Sequence, residues 1–255
     1  IIVVAGEPKS VFLELFFKSF KKFRDIPIIL IANEKLLVDH LKLLKIKRPI
    51  RNLNSHKKIN YKILDNKKIN LINVPLIYSS LKNIKINDTN QYINKCFDIA
   101  IKLLRENNKL KLINGPIIKK NFLGKKHLGI TEYLGSKFNV SNNVVMLIYN
   151  QNLSVSPLTT HIPLKDVSKS ISKKRIINQV KKIHDFYKKK FNKKPSFAIT
   201  GLNPHSESNS ELNEEDKIIK PAIDYLLKKK FIISGPYPAD TIFLKKNYKK
   251  FDVII

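Results

Sequence analysis

Short apolar runs alternate with amphipathic stretches along the chain, and this alternation constrains the fold more than any other feature. The first apolar runs are Ile1–Ala5, Pro27–Ala32 and Lys111–Asn114, while Gln91–Glu106 carries apolar residues at helical spacing. The stretch Lys45–Asp88 mixes Lys, Asn and short apolar runs and shows no clear period. Strands that alternate with helices build largely parallel sheets that helices cover. The pattern therefore predicts an α/β fold, in which ligands bind beyond the carboxyl ends of the strands.

The second half of the chain repeats this alternation and ends on an apolar run. Val144–Tyr149 and Leu153–His161 flank a short polar link, which predicts a hairpin. Because a domain rarely ends on a buried strand, we expect a C-terminal truncation that leaves Asp252–Ile255 as an unpaired edge. The other expected elements are helices over Ser170–Phe191 and Glu214–Lys230, the second kinked at Pro221, and strands over Ser196–Thr200 and Phe231–Ser234.

The formal net charge of +29 suggests nucleic acid as a partner, but the kind of charge argues against it. Arg accounts for five of the 49 basic residues, although its planar fork is what reads phosphates and bases. Lys is scattered through the chain beside much Ile and Asn, as an AT-rich coding sequence would produce. We therefore interpret the charge mainly as compositional drift and do not expect a nucleic-acid partner; a real electrostatic function is the alternative.

The single cysteine, Cys96, excludes an intrachain disulfide. It lies at helical spacing with Ile93 and Ala100, which is typical of a buried core thiol. Apolar runs stay well short of the roughly 18 residues of a membrane span, and Ile1–Ala5 is too short for the core of a signal peptide. We expect a cytoplasmic protein with no membrane partner.

Glycines at strand ends mark a candidate site. G-x-G-x-x-G and Walker A loops are absent from the sequence, so a dinucleotide would need another kind of fold. Four of the seven glycines, Gly6, Gly115, Gly201 and Gly235, follow strand-like runs. Any one of them is an ordinary turn, but together these corners favour a binding site at the strand ends.

Two histidines also lie at predicted strand ends. His161 and His205 each lie at or just past a strand end with a proline close by. Two imidazoles held there could supply part of a divalent metal site, with a third ligand from elsewhere. The other histidines lie in amphipathic helices or Lys-rich loops and carry no such signal: His40, His56, His127 and His184.

The same segments carry a set of motifs in a recognisable order. The motifs are Gly6-Glu-Pro8, Asn114-Gly-Pro116, Gly129-Ile-Thr-Glu132, Val144-Val-Met146, Thr159-Thr-His-Ile-Pro-Leu164, Gly201-Leu-Asn-Pro-His205, Glu214-Glu215 with Pro221, and Gly235-Pro-Tyr-Pro-Ala-Asp-Thr-Ile-Phe243. In this order they resemble the 4-hydroxythreonine-4-phosphate dehydrogenase family of pyridoxine and pyridoxal phosphate biosynthesis.

The resemblance implies a two-lobed α/β/α fold of the isocitrate/isopropylmalate dehydrogenase type. We assign residues 1–120 to an N-terminal lobe and residues 121–255 to a second lobe that carries the metal histidines. The resemblance also implies a homodimer with a shared active site. The implied reaction is the NAD-dependent oxidation of 4-phosphohydroxy-L-threonine at its 3-hydroxyl, followed by loss of CO2 to give 3-amino-2-oxopropyl phosphate.

The resemblance also assigns roles to individual residues. His161 and His205 match the first two of three histidines that hold a divalent cation (Zn, Mg or Co), which acts as a Lewis acid. Thr131 matches a threonine that contacts the substrate, and Asp240 matches an acid that we assign to the catalytic site. Residues that contact NAD are not assigned.

The sequence departs from the family pattern at several of these positions. The family's third histidine would lie beyond Ile255, and Ile118 and Ile130 stand where the family has histidines. The polar run Ser206–Ser210 replaces a glycine-rich loop. These departures leave an alternative open, namely a degenerate or fragmentary member with the fold but no activity.

Overall fold

The computed structural model describes residues 1–20, 22–23, 25–55, 57–124, 127, 129–141, 144–206 and 213–255. Its residues form two compact units, Ile1–Tyr133 and Leu134–Ile255. The ring of Phe122 stacks on that of Phe97 with centroids 5.3 Å apart, which ties the residues just past position 120 to the first unit. The division into lobes at residues 1–120 and 121–255 stays a prediction. His56 and residues 207–210 of the polar run lie outside the described residues.

The described part of the first unit contains a five-stranded parallel sheet with the order β3-β4-β2-β1-β5. Its strands are β1 (Ile2–Val4), β2 (Ile29–Ala32), β3 (Ile50–Asn52), β4 (Ile69–Asn73) and β5 (Leu112–Asn114). Its helices are α1 (Phe12–Phe20), α2 (Glu34–Leu43), α3 (Ile86–Glu106), α4 (Lys119–Phe122) and α5 (Ile130–Lys137), the last of which continues into the second unit.

The pattern of buried residues explains these elements. Strands β1 and β2 are buried along their whole length, as expected for strands covered on both faces. Helix α3 buries one apolar face that includes Tyr92, Cys96 and Phe97. Helix α2 starts where the side chain of Asn33 accepts a hydrogen bond from Leu36 N at 2.9 Å and caps the first turn.

Strands β3 and β4 lie in Lys45–Asp88, the stretch in which the sequence shows no clear period. Among the described residues, strand β3 is an edge strand that pairs with β4, and it is half-exposed, so it needs no continuous apolar run. Strand β4 contains the fully buried Asn70, whose amide donates to Ile28 O at 3.0 Å and to Asp65 O at 2.8 Å. A polar residue whose hydrogen bonds are made within the fold interrupts the apolar pattern without interrupting the strand.

The described part of the second unit contains a four-stranded sheet with the order β6-β9-β7-β8, and its neighbouring strands are parallel. Its strands are β6 (Ser154–Val155), β7 (Ser196–Thr200), β8 (Ile232–Tyr237) and β9 (Val253–Ile254). Its further helices are α6 (Val167–Ser170), α7 (Lys173–Phe191), α8 (Lys220–Lys228) and α9 (Lys245–Tyr248).

The expectation that Asp252–Ile255 forms an unpaired edge is wrong. Strand β9 lies between β6 and β7 and pairs with both. Ile255 N donates to Ala198 O at 2.9 Å, and Ser156 N donates to Ile254 O at 2.9 Å. The run that looked like an exposed end is therefore an interior strand, because both of its neighbours come from earlier in the chain.

The predicted hairpin shrinks to a single bridge. Ile148 and Val155 exchange backbone hydrogen bonds of 2.8 and 2.9 Å in an antiparallel bridge. Strand β6 then pairs in parallel with β9 instead of continuing the hairpin. This pairing uses the other edge of β6, where Ser154 N donates to Asp252 O and Ser156 N donates to Ile254 O, each at 2.9 Å.

Both faces of the second sheet are covered. Phe197 and Ile199 of β7 pack with the apolar residues of α7 and α8, whereas Ala198 packs with Ile242 on the other face. This alternation is the two-residue period of a strand. The expected α/β class is confirmed. The described helices contain no segment with the length and continuous apolar character of a membrane span.

Candidate active site

A cavity of about 270 Å³ lies at the carboxyl ends of the strands of the second unit. Three segments that follow β6, β7 and β8 contribute Thr159, Leu202 and Ala239 to its wall. Because the strands are parallel, their carboxyl ends meet at one edge of the sheet, where α/β folds bind ligands. We call this the strand-end cavity; its remaining lining residues are mostly apolar: Val155, Ser156, Pro157, Leu158, Val167, Ile171, Ile176, Ile199, Thr200, Gly201, Ile219, Phe243, Ile254 and Ile255.

His161 lies two residues beyond the cavity wall. It is exposed and its backbone is left-handed, with φ of +57°, a conformation in which His is among the more tolerated residues. The chain that leads to it begins at the buried Ser156, whose hydroxyl donates to Met146 O at 2.6 Å. The histidine is thus carried by a short segment with a fixed starting point at the end of β6.

His205 lies in the loop after β7 and is also exposed. The loop folds back on itself, because Asn203 Oδ1 accepts a hydrogen bond from His205 N at 2.9 Å and Ser206 N donates to Asn203 O at 2.9 Å. Gly201 makes this close approach possible, since a Cβ there would lie 2.6 Å from Ser206 Oγ. The glycine identified from the sequence therefore has a steric reason.

One residue beneath this loop was not identified from the sequence as part of the site. Glu215 is 1 % exposed, and its Oε1 accepts a hydrogen bond from Asn203 N at 2.9 Å. It lies in a π-helical turn, Glu215–Ile219, that directly precedes α8 and Pro221. The sequence contained a signal for this residue, namely a carboxylate on an apolar helical face. Glu215 falls on the same face as the buried Ile219 and Ala222.

Asp240 follows β8 and is exposed beside Ala239 of the cavity wall. The turn that carries it is anchored by the buried Ile242, whose backbone N–H donates to Pro238 O at 3.1 Å. The segments that carry His161, His205 and Asp240 therefore all border the strand-end cavity, although these three side chains are not in its wall.

The described residues were also tested for a metal site. Two imidazoles suit a borderline cation such as Zn²⁺ or Co²⁺, so His161 and His205 fit part of such a site. Within the ranges that the structure describes, no cluster of three or more His, Cys, Asp and Glu side chains could hold a metal. The chemistry of the two donors fits a metal, and a complete ligand set needs a further donor.

The remaining candidate, Thr131, lies in α5 within the first unit and is half-buried. Ile130 begins that helix, and Ile118 precedes α4. Ile118 is exposed, and its backbone N–H donates to Glu7 Oε1 at 3.1 Å. This hydrogen bond joins the Gly6-Glu-Pro8 motif at the end of β1 to the chain that follows β5.

The turns at Gly6 and Gly115 also lie in close backbone contact. Gly6 has a φ of +73°, and a Cβ there would lie 2.3 Å from Pro116 O. A Cβ on Gly115 would lie 2.1 Å from Ala5 O. The ends of the adjacent strands β1 and β5 thus approach each other too closely for any side chain.

A protein-family model matches most of the chain. The model of the family described as "Pyridoxal phosphate biosynthetic protein PdxA" matches residues 24–255. The chain belongs to the PdxA family. The resemblance deduced from the motifs is therefore confirmed.

Curated PdxA relatives are named as dehydrogenases. The 4-hydroxythreonine-4-phosphate dehydrogenase of Sulfurihydrogenibium sp. (strain YO3AOP1) is 31% identical over 263 aligned positions, which cover 99% of this chain and 78% of the relative. The enzyme of the same name from Aquifex aeolicus (strain VF5) is 30% identical, covering 96% of this chain and 76% of the relative. These names support an oxidoreductase. The coverage does not favour the alternative of a degenerate or fragmentary member without activity.

Solved PdxA structures share the fold. The 4-hydroxythreonine-4-phosphate dehydrogenase from Klebsiella pneumoniae superposes with a TM-score of 0.79 at 23% identity, covering 100% of this chain and 78% of that structure. The enzyme of the same name from Burkholderia phymatum gives 0.76 at 22% identity, covering 99% of this chain and 78% of that structure. At these identities the likeness shows the α/β fold and leaves the roles of individual residues to be tested.

Proposed function

We propose that this PdxA family member catalyses the NAD-dependent oxidation of 4-phosphohydroxy-L-threonine and its decarboxylation to 3-amino-2-oxopropyl phosphate in pyridoxal phosphate biosynthesis. The observation that carries the proposal is the convergence of the segments bearing His161, His205 and Asp240 on one cavity at the carboxyl ends of parallel strands. The dehydrogenases among the relatives support the reaction class.

His161 and His205 would supply two imidazole ligands to a divalent cation, Zn²⁺, Mg²⁺ or Co²⁺. When bound, such a cation supplies Lewis-acid polarisation of the substrate hydroxyl. Both imidazoles are exposed, so they are accessible to a cation and to a phosphorylated substrate. A third ligand would come from outside this pair.

Asp240 would act as the catalytic carboxylate. Oxidation of a secondary alcohol moves a hydride to NAD and releases the hydroxyl proton, which a carboxylate accepts as a general base. Its exposure at the rim of the strand-end cavity suits this role. Thr131 would bind the substrate through its hydroxyl, a donor and an acceptor for a polar ligand.

Several further features belong to the same proposal. We infer that the protein works as a cytoplasmic homodimer with a shared active site and that its fold is of the isocitrate/isopropylmalate dehydrogenase type. The C-terminal truncation expected from the sequence stays a prediction. The chain residues that hold NAD are not assigned.

The decisive experiment combines metal content with NAD reduction on the purified full-length gene product. We expect about one divalent ion per chain and an increase of absorbance at 340 nm with the phosphorylated substrate. His161→Ala and His205→Ala should each lose the ion and at least about 100-fold in activity. His184→Gln, on α7 and packed against Phe231 with ring centroids 4.9 Å apart, is the matched histidine control. A product that binds no divalent ion in any form would refute the proposal.

A further inference from the structure

Glu215 connects the helix that covers the sheet to the loop that carries His205. Its Oε1 accepts the hydrogen bond from Asn203 N at 2.9 Å, and the residue is 1 % exposed. A buried carboxylate is costly unless hydrogen bonds compensate for the lost water. The hydrogen bond to this carboxylate comes from the backbone N–H of Asn203 in a neighbouring loop. The loop conformation and the burial of Glu215 therefore depend on each other.

The connection continues from Asn203 to His205. The side chain of Asn203 accepts from His205 N at 2.9 Å, and its carbonyl accepts from Ser206 N at 2.9 Å. Glu215 thus fixes the N–H of the residue whose side chain and carbonyl organise the next three positions. A displacement of Asn203 would move His205 with it.

The space around Glu215 leaves little alternative for the loop. A Cβ on Gly201 would lie 3.0 Å from Glu215 Oε1, so the start of the loop passes directly over the carboxylate. Glu215 occupies the first position of a π-helical turn, an irregularity that often accompanies functional sites. Asn213 accepts from Asp216 N at 3.2 Å and fixes the start of this helix.

We propose that Glu215 is a positioning residue, which holds the His205 loop in the conformation needed for ligand binding through the hydrogen bond to Asn203. The inference rests on the proposed function in that it takes His205 to be a metal ligand. It assigns Glu215 no contact with substrate or metal.

The test uses four variants of the full-length protein. Glu215→Leu removes the acceptor, whereas Glu215→Gln keeps an oxygen that can accept from Asn203 N–H. Asn203→Ala leaves the contact with Glu215 and removes the one with His205 N. Glu214→Gln, the neighbouring half-buried carboxylate, is the matched control.

Two measurements are made on each variant. Hydrogen exchange followed by mass spectrometry reports protection of the segment 201–206, and titration with Co²⁺ alone reports metal affinity. For Glu215→Leu we expect protection of that segment to be lost selectively and Co²⁺ affinity to fall about 10–100-fold, the usual effect of removing a group that orients a ligand. Glu215→Gln should recover most of both, Asn203→Ala should lose about 10-fold in Co²⁺ affinity, and Glu214→Gln should resemble the wild type.

Two outcomes would overturn the inference. The first is wild-type protection and Co²⁺ affinity in Glu215→Leu. The second is a loss of protection spread evenly over residues 134–255 in Glu215→Leu, because that would make Glu215 a general stabilising residue. A wild type that binds no Co²⁺ would reject the metal part of the proposed function instead. The exchange data would then still decide whether Glu215 orders the loop.

Discussion

The side-chain amide of Gln179 donates to Ser156 Oγ at 2.9 Å and to Ser156 O at 3.1 Å, which joins α7 to the end of β6. The same nitrogen, Gln179 Nε2, also donates to Pro157 O at 3.2 Å. Both Gln179 and Ser156 are buried. This one side chain therefore satisfies the polar backbone at the point where the chain leaves the sheet toward His161.

Replacing Gln179 by Leu should destabilise the second unit by about 1–3 kcal/mol. The apolar side chain has a similar size but leaves buried acceptors of Ser156 and Pro157 without their donor. Denaturant unfolding measures the change, with Asn178→Leu on the exposed face of α7 as the control. A Gln179→Leu protein as stable as its control would show that these hydrogen bonds contribute nothing to folding.

Asp252 predicts a pH dependence of stability. Burial raises the pKa of this carboxyl, but hydrogen bonds from Lys193 and Ser196 outweigh it, so the pKa lies below its ordinary value of 3.8. Because the folded-state pKa is depressed, the stabilisation is present above pH 3.8 and is lost as the pH falls through the folded-state pKa.

Asp252→Asn should therefore lower the free energy of unfolding at pH 7 by about 1 kcal/mol, a value discounted for partial exposure. The difference from wild type should shrink as the pH drops below 3.8. Asp185→Asn, with an 81% exposed side chain, should change little at any pH. A deficit of Asp252→Asn that stays constant from pH 7 to pH 2 would contradict this explanation.

Cys96 should not react while the protein is folded. The thiol is fully buried in α3, and burial raises its pKa to about 12 although Tyr92 donates a hydrogen bond to it. The thiolate is the reactive form, so almost none is present at pH 8. Titration with a thiol-specific dye should label no cysteine in buffer and one per chain in denaturant. Rapid labelling in buffer would show that the thiol is accessible.

Asp240→Asn should lower kcat by about 10²–10⁴-fold if the carboxylate accepts the hydroxyl proton. Stability should stay unchanged, since Asp240 is exposed. Asp224→Asn, an exposed carboxylate on α8, is the matched control and should retain full activity. Equal kcat values for the two variants would remove Asp240 from the catalytic site.

Local pattern was sufficient for most helices and strands. The runs around β1, β2 and β7 were predicted within a residue or two, because a buried strand needs apolar residues wherever it lies. The partly exposed β5 was predicted equally closely from its Leu112-Ile113 pair. Strands β3 and β4 were missed, since a half-exposed edge and a buried Asn70 have no apolar signature. The Val144–Tyr149 strand was overpredicted, because its apolar residues pack against the core as an irregular segment.

Some residues of the candidate site could likewise be predicted from the sequence, and others could not. His161, His205 and Asp240 could be selected by residue type and by their position after apolar runs. Gln179 and Glu215 lie at buried positions on helices, and their polar character on an apolar face was the available signal. What each one binds could not be read from that signal, since their partners lie 23 and 12 residues away along the chain.

The sequence by itself determined the α/β class and the family, because burial periodicity and short motifs are local properties of the chain. Only the tertiary structure decided the strand order, including the interior position of β9 between β6 and β7. Strand pairing depends on hydrogen bonds between residues far apart in sequence, as in the 2.9 Å bond from Ile255 N to Ala198 O. The same long-range packing placed Glu215 beneath the loop of His205.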